Sequence, residues 1–458
     1  MYLATLLACL TTVCFASPLN NIDTTTEWRI SEYSNLRTAF DGMLSLHQRL
    51  PHKPTLKSRS LPPDGAVPMW MDGHSPFIHV YVGSPPQRVA VKLDTGSGIT
   101  WIHGQDPAKP LEEDALIANL STSWNSLNVS ATLTYLDSSE CTVEIVYEKL
   151  SITPNGTRLE IPMGVDQQSR CFDQFGTHGI LGLDRSSLLL DAFEKVKGNL
   201  SSVFTLAFAD SQAEGGGENW FSLGGYAGLD PEDIIWMPHV VETNNHYFNT
   251  AFKVPLPYIL YRNKRFNFKK GHYTIVDTGA SVGLLPTKQW EKIYNHVPNF
   301  PLKGLYNGKP ADLPLFNLTD VSSCQIPTMA LRLGDQEWLA QLTSPSLNFA
   351  SVFGFNDSQQ VLSVPAFLPK EPYEENVDWK EIPSVLGAPF WMNLRGLVFD
   401  FTRGKERVGF VPRRDVCNRN GVVNPLFVSA ASSKRSALGG VFTAVVCASM
   451  ALSARFLF

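Results

Sequence analysis

Short apolar runs, broken by glycine and proline, dominate the chain from about residue 66 onwards. In FIHVYV (77–82) and RVAVKL (88–93) apolar and polar side chains alternate, and this period of two is typical of a half-buried strand. Similar runs predict strands at 131–135, 143–152, 203–208, 219–223, 273–276, 328–333 and 396–411. Helical patterns occur at 191–200 and 287–297. The pattern therefore predicts a mainly β protein with a few helices.

The two ends of the chain depart from this β pattern and have the features of targeting signals. Residues 3–15 form an uncharged apolar run followed by Ala16 and a polar stretch, which predicts a secretory signal peptide. Residues 436–454 form a second apolar run after small residues at 429–433 and a short polar spacer. This order is typical of a signal for a glycosylphosphatidylinositol (GPI) anchor. A C-terminal transmembrane helix or a buried terminal helix remains an alternative.

Composition excludes some classes of protein. Of the 458 residues 43% are apolar and 18% charged, so the chain can bury a large core and is not a disordered protein. The net charge of −5 leaves no excess of basic residues, and the sequence predicts no nucleic-acid partner. The polar stretch 17–62 ends in a basic run, which we interpret as a removable segment or a linker.

Glycosylation sequons and cysteines agree with passage through the secretory pathway. Six N-x-S/T sequons lie at Asn119, Asn128, Asn155, Asn199, Asn317 and Asn356. Three of the seven cysteines, Cys9, Cys14 and Cys447, lie in the two end segments that we expect to be removed. The remaining four allow three pairings, of which the most local joins Cys141 to Cys171 and Cys324 to Cys417. An oxidising compartment favours disulfides over free thiols.

One internal repeat carries most of the functional information. The segments KLDTGSGITWI (92–102) and TIVDTGASVGLLP (274–286) each place Asp-Thr-Gly after an apolar strand. Their aspartates, Asp94 and Asp277, are about one domain length apart. The repeat predicts two similar lobes that bring one aspartate each to a shared cleft.

A pair of aspartates at such a cleft can activate water. Two carboxyl groups a few ångströms apart cannot both ionise, so they share one proton. The ionised member acts as general base on a water molecule, and the protonated member polarises a carbonyl. This chemistry requires no metal and no other cofactor. We expect support for Asp94 and Asp277 from Thr95, Gly96, Ser97, Thr278, Gly279 and Ser281.

Residues 66–415 resemble the pepsin-like aspartic endopeptidases, and the anchor signal is similar to that of their GPI-anchored fungal (yapsin-like) members. The matching segments, in the order of the family, are YVGSPPQRVAVKLDTGSGITW (81–101), LTYLDSS (133–139), GILGL (179–183), TIVDTGAS (274–281) and the closing strands at 384–412. The resemblance implies that Asp94 and Asp277 are catalytic. It also implies that Tyr135 belongs to a mobile flap hairpin and that Trp101 supports Tyr135.

The sequence departs from the family pattern in several respects, and one further residue, Asp137, is distinctive. Leu136 and Ser138 replace the glycines near the flap tip, which puts the shape and motion of the flap in question. Ala280 stands where many members have Ser or Thr, and the loss of a hydroxyl donor predicts a pH optimum above that of the most acidic members. Asp137 at the flap tip predicts acceptance of a basic side chain before the scissile bond; the alternative is a solvated turn residue.

The resemblance implies a mainly β, bilobal pepsin-like fold and an aspartic endopeptidase made as a zymogen. The predicted organisation is a signal peptide (1–16), a pro-segment (17–62), an N-terminal lobe with the flap (63–250), a C-terminal lobe (251–415), a stalk with the attachment region (416–435) and a hydrophobic GPI signal or membrane anchor (436–458). In the zymogen Lys53 or Lys57 would contact the aspartates. We expect a monomer at the cell surface that acts on proteins or peptides. A catalytically inert binding or inhibitor protein of the same fold is the alternative.

Overall fold

The computed structural model of the protein covers the β-rich body of the chain. The described residues are 63, 65–72, 75–106, 114–135, 140–166, 171, 178–209, 218–241, 249–261, 264–280, 282–294, 296, 302–306, 309–317, 328–334, 336–341, 343–344, 362–365, 367–369 and 383–413. The predicted signal peptide, pro-segment, stalk and C-terminal anchor lie outside these residues, and so do Lys53 and Lys57.

Strands make up most of the described residues. The first half of the chain forms β1 (Ala66–Asp72), β2 (Ser75–Val82), β3 (Gln87–Asp94), β4 (Trp101–His103), β5 (Asn125–Thr134), β6 (Glu140–Ser151), β7 (Leu159–Asp166), β8 (Gly179–Gly182), β9 (Val203–Ala207), β10 (Asn219–Leu223) and β11 (Ile235–Pro238). The second half forms β12 (Lys253–Pro255), β13 (Tyr258–Tyr261), β14 (Lys264–Asn267), β15 (Tyr273–Val276), β16 (Gly283–Leu285), β17 (Leu302–Tyr306), β18 (Lys309–Asn317), β19 (Thr328–Leu333), β20 (Gln336–Gln341), β21 (Thr343–Ser344), β22 (Leu362–Pro365), β23 (Phe367–Pro369), β24 (Ser384–Leu386), β25 (Leu394–Asp400) and β26 (Arg407–Pro412). The predicted β class is confirmed.

The largest sheet joins both ends of the described chain. It has 13 strands in the order β11-β26-β25-β9-β10-β1-β2-β3-β8-β4-β7-β6-β5. The smaller sheets have the orders β12-β15-β24-β16-β23, β14-β13-β19-β20 and β17-β18-β22-β21. Strands β25 and β26 come from the predicted C-terminal lobe, yet they pair with β9 and β11 from the predicted N-terminal lobe. The two predicted ranges therefore share one sheet.

The sequence repeat corresponds to a repeated strand arrangement. Strand β8 pairs in parallel with β3 and antiparallel with β4. In the second half β24 pairs in parallel with β15 and antiparallel with β16. The backbone N–H of Leu183 donates to the carbonyl of Asp94 (2.8 Å), and the N–H of Asp277 donates to the carbonyl of Leu386 (3.1 Å). Each Asp-Thr-Gly thus follows a buried strand that has parallel support along one edge.

Three α-helices are present in the described residues, α1 (Leu188–Val196), α2 (Thr287–Tyr294) and α3 (Ala388–Trp391), beside short 3₁₀ helices at Ala118–Leu120 and Pro231–Asp233. The predicted start of the first helix at 191 is wrong, because Leu189 and Leu190 join Phe193 on the buried face of α1. The predicted end at 200 is wrong as well, since residues 198–199 form a turn. The second helix begins at Thr287 as predicted. No described helix has the length and apolar character needed to cross a membrane.

Aromatic side chains from distant parts of the chain pack in one core. The ring of Phe204 on β9 stacks on that of Phe399 on β25, with centroids 4.7 Å apart. Phe252 contacts the same Phe399 ring at 5.0 Å. All three rings are buried, and close packing of large rings resists relative movement of the strands that carry them. This core holds together the sheet from which the first aspartate projects.

Candidate active site

The two aspartates of the sequence repeat meet in the folded chain. Asp94 ends strand β3, and Asp277 directly follows β15. Their side chains are buried, at 5% and 7% exposure, and form a hydrogen bond with each other. A hydrogen bond between two carboxyl groups requires one of them to carry a proton. The site therefore holds a carboxyl pair that shares a proton.

Backbone N–H groups from the two turns point at this pair. The N–H of Gly96 donates to Oδ1 of Asp94 at 2.9 Å, and the N–H of Gly279 donates to Oδ1 of Asp277 at 2.7 Å. A Cβ atom on Gly96 would lie 2.5 Å from Oδ2 of Asp277, and one on Gly279 would overlap the carboxyl group of Asp94. Any side chain at either position would push the two carboxyl groups apart.

The two threonines of the motifs connect the turns to each other. The hydroxyl of Thr95 accepts a hydrogen bond from the N–H of Thr278 (3.0 Å) and donates to the carbonyl of Val276 (2.8 Å). The hydroxyl of Thr278 accepts from the N–H of Thr95 (3.1 Å) and donates to the carbonyl of Leu93 (2.9 Å). All four hydrogen bonds are buried, so they fix the distance between the two aspartates.

The surroundings of the two carboxyl groups differ in one respect. The hydroxyl of Ser97 donates to Oδ2 of Asp94 at 2.5 Å. The matching position after the second motif is Ala280, which donates only its backbone N–H to Asp277, at 3.2 Å. Hydrogen bonds donated to a carboxylate favour its ionised form. Asp94 therefore accepts a hydroxyl hydrogen bond that Asp277 lacks among the described contacts; Ser281 lies outside the described residues.

Burial raises the pKa of Asp277, and the neighbouring charge of Asp94 raises it further. The N–H of Gly279 and the ammonium group of Lys92 act in the opposite direction but do not cancel the rise. Asp277 is therefore the member of the pair that holds the shared proton more strongly. Two carboxyl groups in different protonation states can act as base and acid in one reaction.

A family model of the eukaryotic aspartyl proteases matches residues 76–337. The chain belongs to the eukaryotic aspartyl protease family. One curated relative is pregnancy-associated glycoprotein 2 from Sus scrofa, which is 23% identical over 245 residues. That match covers 48% of this chain and 53% of the relative, so the chain spans about half the length of the curated relative.

The hairpin of strands β5 and β6 carries the predicted flap residue Tyr135. Tyr135 directly follows β5, and its hydroxyl accepts a hydrogen bond from Nε1 of the buried Trp101 at 2.8 Å. The structure therefore brings these two predicted residues together. Leu136, Asp137 and Ser138 at the tip lie outside the described residues.

A disulfide joins this hairpin to the segment after β7. It links Cys141, near the start of β6, to Cys171, so the first predicted pairing is confirmed. Both cysteines are buried with Trp101 and Leu133 in a small apolar cluster. The second predicted pairing, Cys324–Cys417, lies outside the described residues.

The predicted glycosylation sites that the structure describes lie at the surface or in a strand. The exposed ones are Asn119, Asn128, Asn155 and Asn199, whereas Asn317 ends strand β18. Asn356 lies outside the described residues. Among the described residues no group of three or more His, Cys, Asp or Glu side chains is arranged to hold a metal ion.

Three residues near the pair were not singled out by the sequence prediction. Nε1 of Trp391 donates to the carbonyl of Asp277 at 3.2 Å. Asp184 accepts hydrogen bonds from the hydroxyls of Thr250 and Ser186, and burial raises the pKa of Asp184. Lys92 donates to the carbonyl of Gly279 at 2.6 Å. Lys92 could have been found, because it is a charged residue in an apolar strand, two positions before Asp94 and on the same face.

Proposed function

We propose that the protein is an aspartic endopeptidase that hydrolyses peptide bonds with a water molecule activated between Asp94 and Asp277. The observation that carries the proposal is the hydrogen-bonded, buried carboxyl pair with a complete set of motif residues on both sides. Membership of the eukaryotic aspartyl protease family supports the same chemistry.

The different surroundings of the two carboxyl groups support separate roles. Asp94, which accepts from Ser97 and Gly96, takes a proton from water as the water oxygen attacks the carbonyl carbon. Asp277, whose raised pKa favours the protonated form, gives its proton to the carbonyl oxygen. The resulting diol collapses when Asp94 returns its proton to the amide nitrogen and Asp277 recovers one from a hydroxyl. The C–N bond then breaks, and both carboxyl groups are in their starting states.

The substrate in this proposal is an extended peptide that lies under the β5–β6 hairpin. The hydrogen bond between Trp101 and Tyr135 supports a defined position for the tyrosine at the start of the turn of that hairpin. Extended peptides bind such clefts through main-chain hydrogen bonds, as an added strand does in a sheet. Acceptance of a basic substrate side chain before the scissile bond, next to Asp137, remains part of the proposal.

The decisive experiment is acid incubation of the purified proprotein with a peptide library, with and without pepstatin, beside the Asp94→Asn variant. We expect pepstatin-sensitive cleavage by the wild type and none by the variant. Equal thermal unfolding of the two proteins serves as the control for folding. No cleavage by a wild type that still binds pepstatin would favour the inert binding protein. The unusual flap tip at Leu136 and Ser138 favours this alternative.

We further propose that the enzyme is a glycosylated zymogen of the secretory pathway with a GPI anchor. The end signals and the four exposed sequon asparagines support this location. Release from intact cells by a phosphatidylinositol-specific phospholipase C is the expected result. Retention after that treatment, together with release by detergent, would favour a transmembrane anchor instead.

A further inference from the structure

Lys92 places a positive charge beside the carboxyl pair. Its side chain lies on the same face of β3 as that of Asp94, because side chains two residues apart in a strand share a face. The half-buried ammonium group donates a hydrogen bond to the carbonyl of Gly279 at 2.6 Å. Lys92 thus connects the strand of the first aspartate with the turn of the second.

The acceptor of this bond belongs to a residue in contact with both carboxyl groups. The N–H of Gly279 donates to Asp277, and the Cα of Gly279 lies so close to Asp94 that a Cβ would overlap its carboxyl group. The ammonium group of Lys92 also interacts electrostatically with Asp277. Gly279 therefore lies between the ammonium group of Lys92 and the buried carboxyl pair, which carries one negative charge.

Few other titratable groups face the pair from the elements around it in the described residues. Asp184, which follows β8, lies close enough to Asp94 for mutual repulsion, and its carboxyl group is bound by hydroxyls of Ser186 and Thr250. The flap contributes Tyr135, whose hydroxyl accepts from Trp101. Lys92 is therefore a cation whose charge opposes the effect of burial on the pKa of Asp277, whereas the negative charge of Asp184 repels that of Asp94.

We propose that Lys92 is a positioning residue of the proposed peptidase, whose ammonium group keeps one carboxyl group of the pair ionised at acidic pH. A nearby cation stabilises the anionic form of a carboxyl group, and the same cation holds the Gly279 turn against Asp94. The inference rests on the proposed function. It adds that the working pH range of the enzyme depends on a side chain outside the two Asp-Thr-Gly motifs.

The test compares pH profiles of kcat and kcat/KM for Lys92→Met, Lys92→Gln and Lys92→Arg with the wild type, on one peptide that the wild type cleaves. Both limbs of the profile should move to higher pH by about 1 unit in the Met and Gln variants, because the pair loses its cation. The Arg variant should keep the wild-type limbs. Lys264→Met, which removes an exposed lysine on β14, is the matched control and should shift neither limb.

A second measurement separates this inference from the proposed function. Carbon-13 NMR of carboxyl-labelled aspartates follows the titration of the pair without turnover, and Asp94→Asn identifies the signals. If the wild type cleaves nothing, the proposed function fails, yet the titration midpoints still test Lys92. Unchanged limbs and midpoints in the folded Met and Gln variants would overturn the inference. Failure of both neutral variants to fold would also overturn it, because Lys92 would then have a structural role.

Discussion

At the scale of single residues, two identical motifs give two chemically different carboxyl groups. Asp94 has a hydroxyl donor in Ser97, whereas Asp277 is followed by Ala280 at the same position. Burial then raises the pKa of Asp277. The difference between serine and alanine at this position, together with the burial of Asp277, supports the separate roles that we propose for the two residues.

The raised pKa of Asp277 has a consequence for stability. A group whose pKa is higher in the folded than in the unfolded state stabilises the fold at low pH, and this contribution is lost as pH rises through the folded pKa. Asp277→Asn removes the titration but keeps the shape of the side chain. We expect the variant to gain stability over the wild type as pH rises above about 4, by on the order of 1.4 kcal/mol per unit of pKa elevation.

Urea unfolding of both proteins at a series of pH values measures this difference. Glu232→Gln, which alters an exposed carboxylate near the short turn before β11, is the control and should show no such trend. A constant difference between Asp277→Asn and the wild type at all pH values would contradict the assigned protonation of the pair.

The missing hydroxyl at Ala280 leads to a kinetic prediction. Ala280→Thr adds a donor next to the carboxyl group that already accepts the Ala280 N–H, and such a donor favours the ionised form. Because Asp277 must hold its proton for the proposed reaction, we expect the alkaline limb of kcat/KM to move to lower pH by about 0.5–1 unit. Ala280→Val has the same bulk without the hydroxyl, so an equal shift in both variants would assign the effect to packing.

At the scale of elements, the disulfide restricts the movement of the flap hairpin. Cys141 lies near the start of β6, a few residues beyond Tyr135, and its link to Cys171 closes a loop with a sequence separation of 30. Closure of such a loop contributes about 3–4 kcal/mol to the stability of the fold. The hairpin is therefore anchored close to its turn, beside Trp101.

Replacement of both cysteines by alanine should lower the free energy of unfolding by about that amount. KM should rise more than kcat falls, because the hairpin then orders only when substrate binds. Reduction of the wild type removes the bond but keeps both side chains, and it should reproduce the change in KM. A fall in kcat at constant KM would contradict an effect through the flap.

The elements also show what the sequence could predict. Alternating apolar residues located most strands, since the signal for a half-buried strand is local. The first helix was misplaced because Leu189 and Leu190 look like part of an apolar run until their partners in the core are known. The hydrogen bond of Lys92 to Gly279 could not be derived from local pattern, because it joins residues 187 positions apart.

At the scale of the whole molecule, the site depends on contacts between distant halves of the chain. The sequence repeat predicted that Asp94 and Asp277 would meet, but not that β25 would pair with β9 in the largest sheet. A local sequence pattern does not indicate which strand pairs with which when the two strands are far apart in the sequence. Strands β25 and β26 therefore stabilise the largest sheet, whereas the threonine contacts fix the distance between the two aspartates.

These threonine contacts give the last prediction. Thr95→Val and Thr278→Val keep the size of each side chain but leave a buried N–H and a buried carbonyl without their partner. Each variant should lose about 1–3 kcal/mol of stability for each group left unsatisfied. Since the two hydroxyls belong to one network, the double variant should lose less than the sum of the single ones, by about 0.5–3 kcal/mol.

The β5–β6 hairpin contains a second pair of threonines that serves as the control for this prediction. Thr132 and Thr142 also share a hydroxyl contact, 3.2 Å long, but on an exposed face of β5 and β6. Valine at either position should change the stability by no more than about 0.5 kcal/mol, with no effect on kcat. Thr95→Ser and Thr278→Ser retain the hydroxyls and should keep most of the activity. Additive losses at Thr95 and Thr278 would show that the two turns are held independently, and the distance between the aspartates would then depend on the sheets alone.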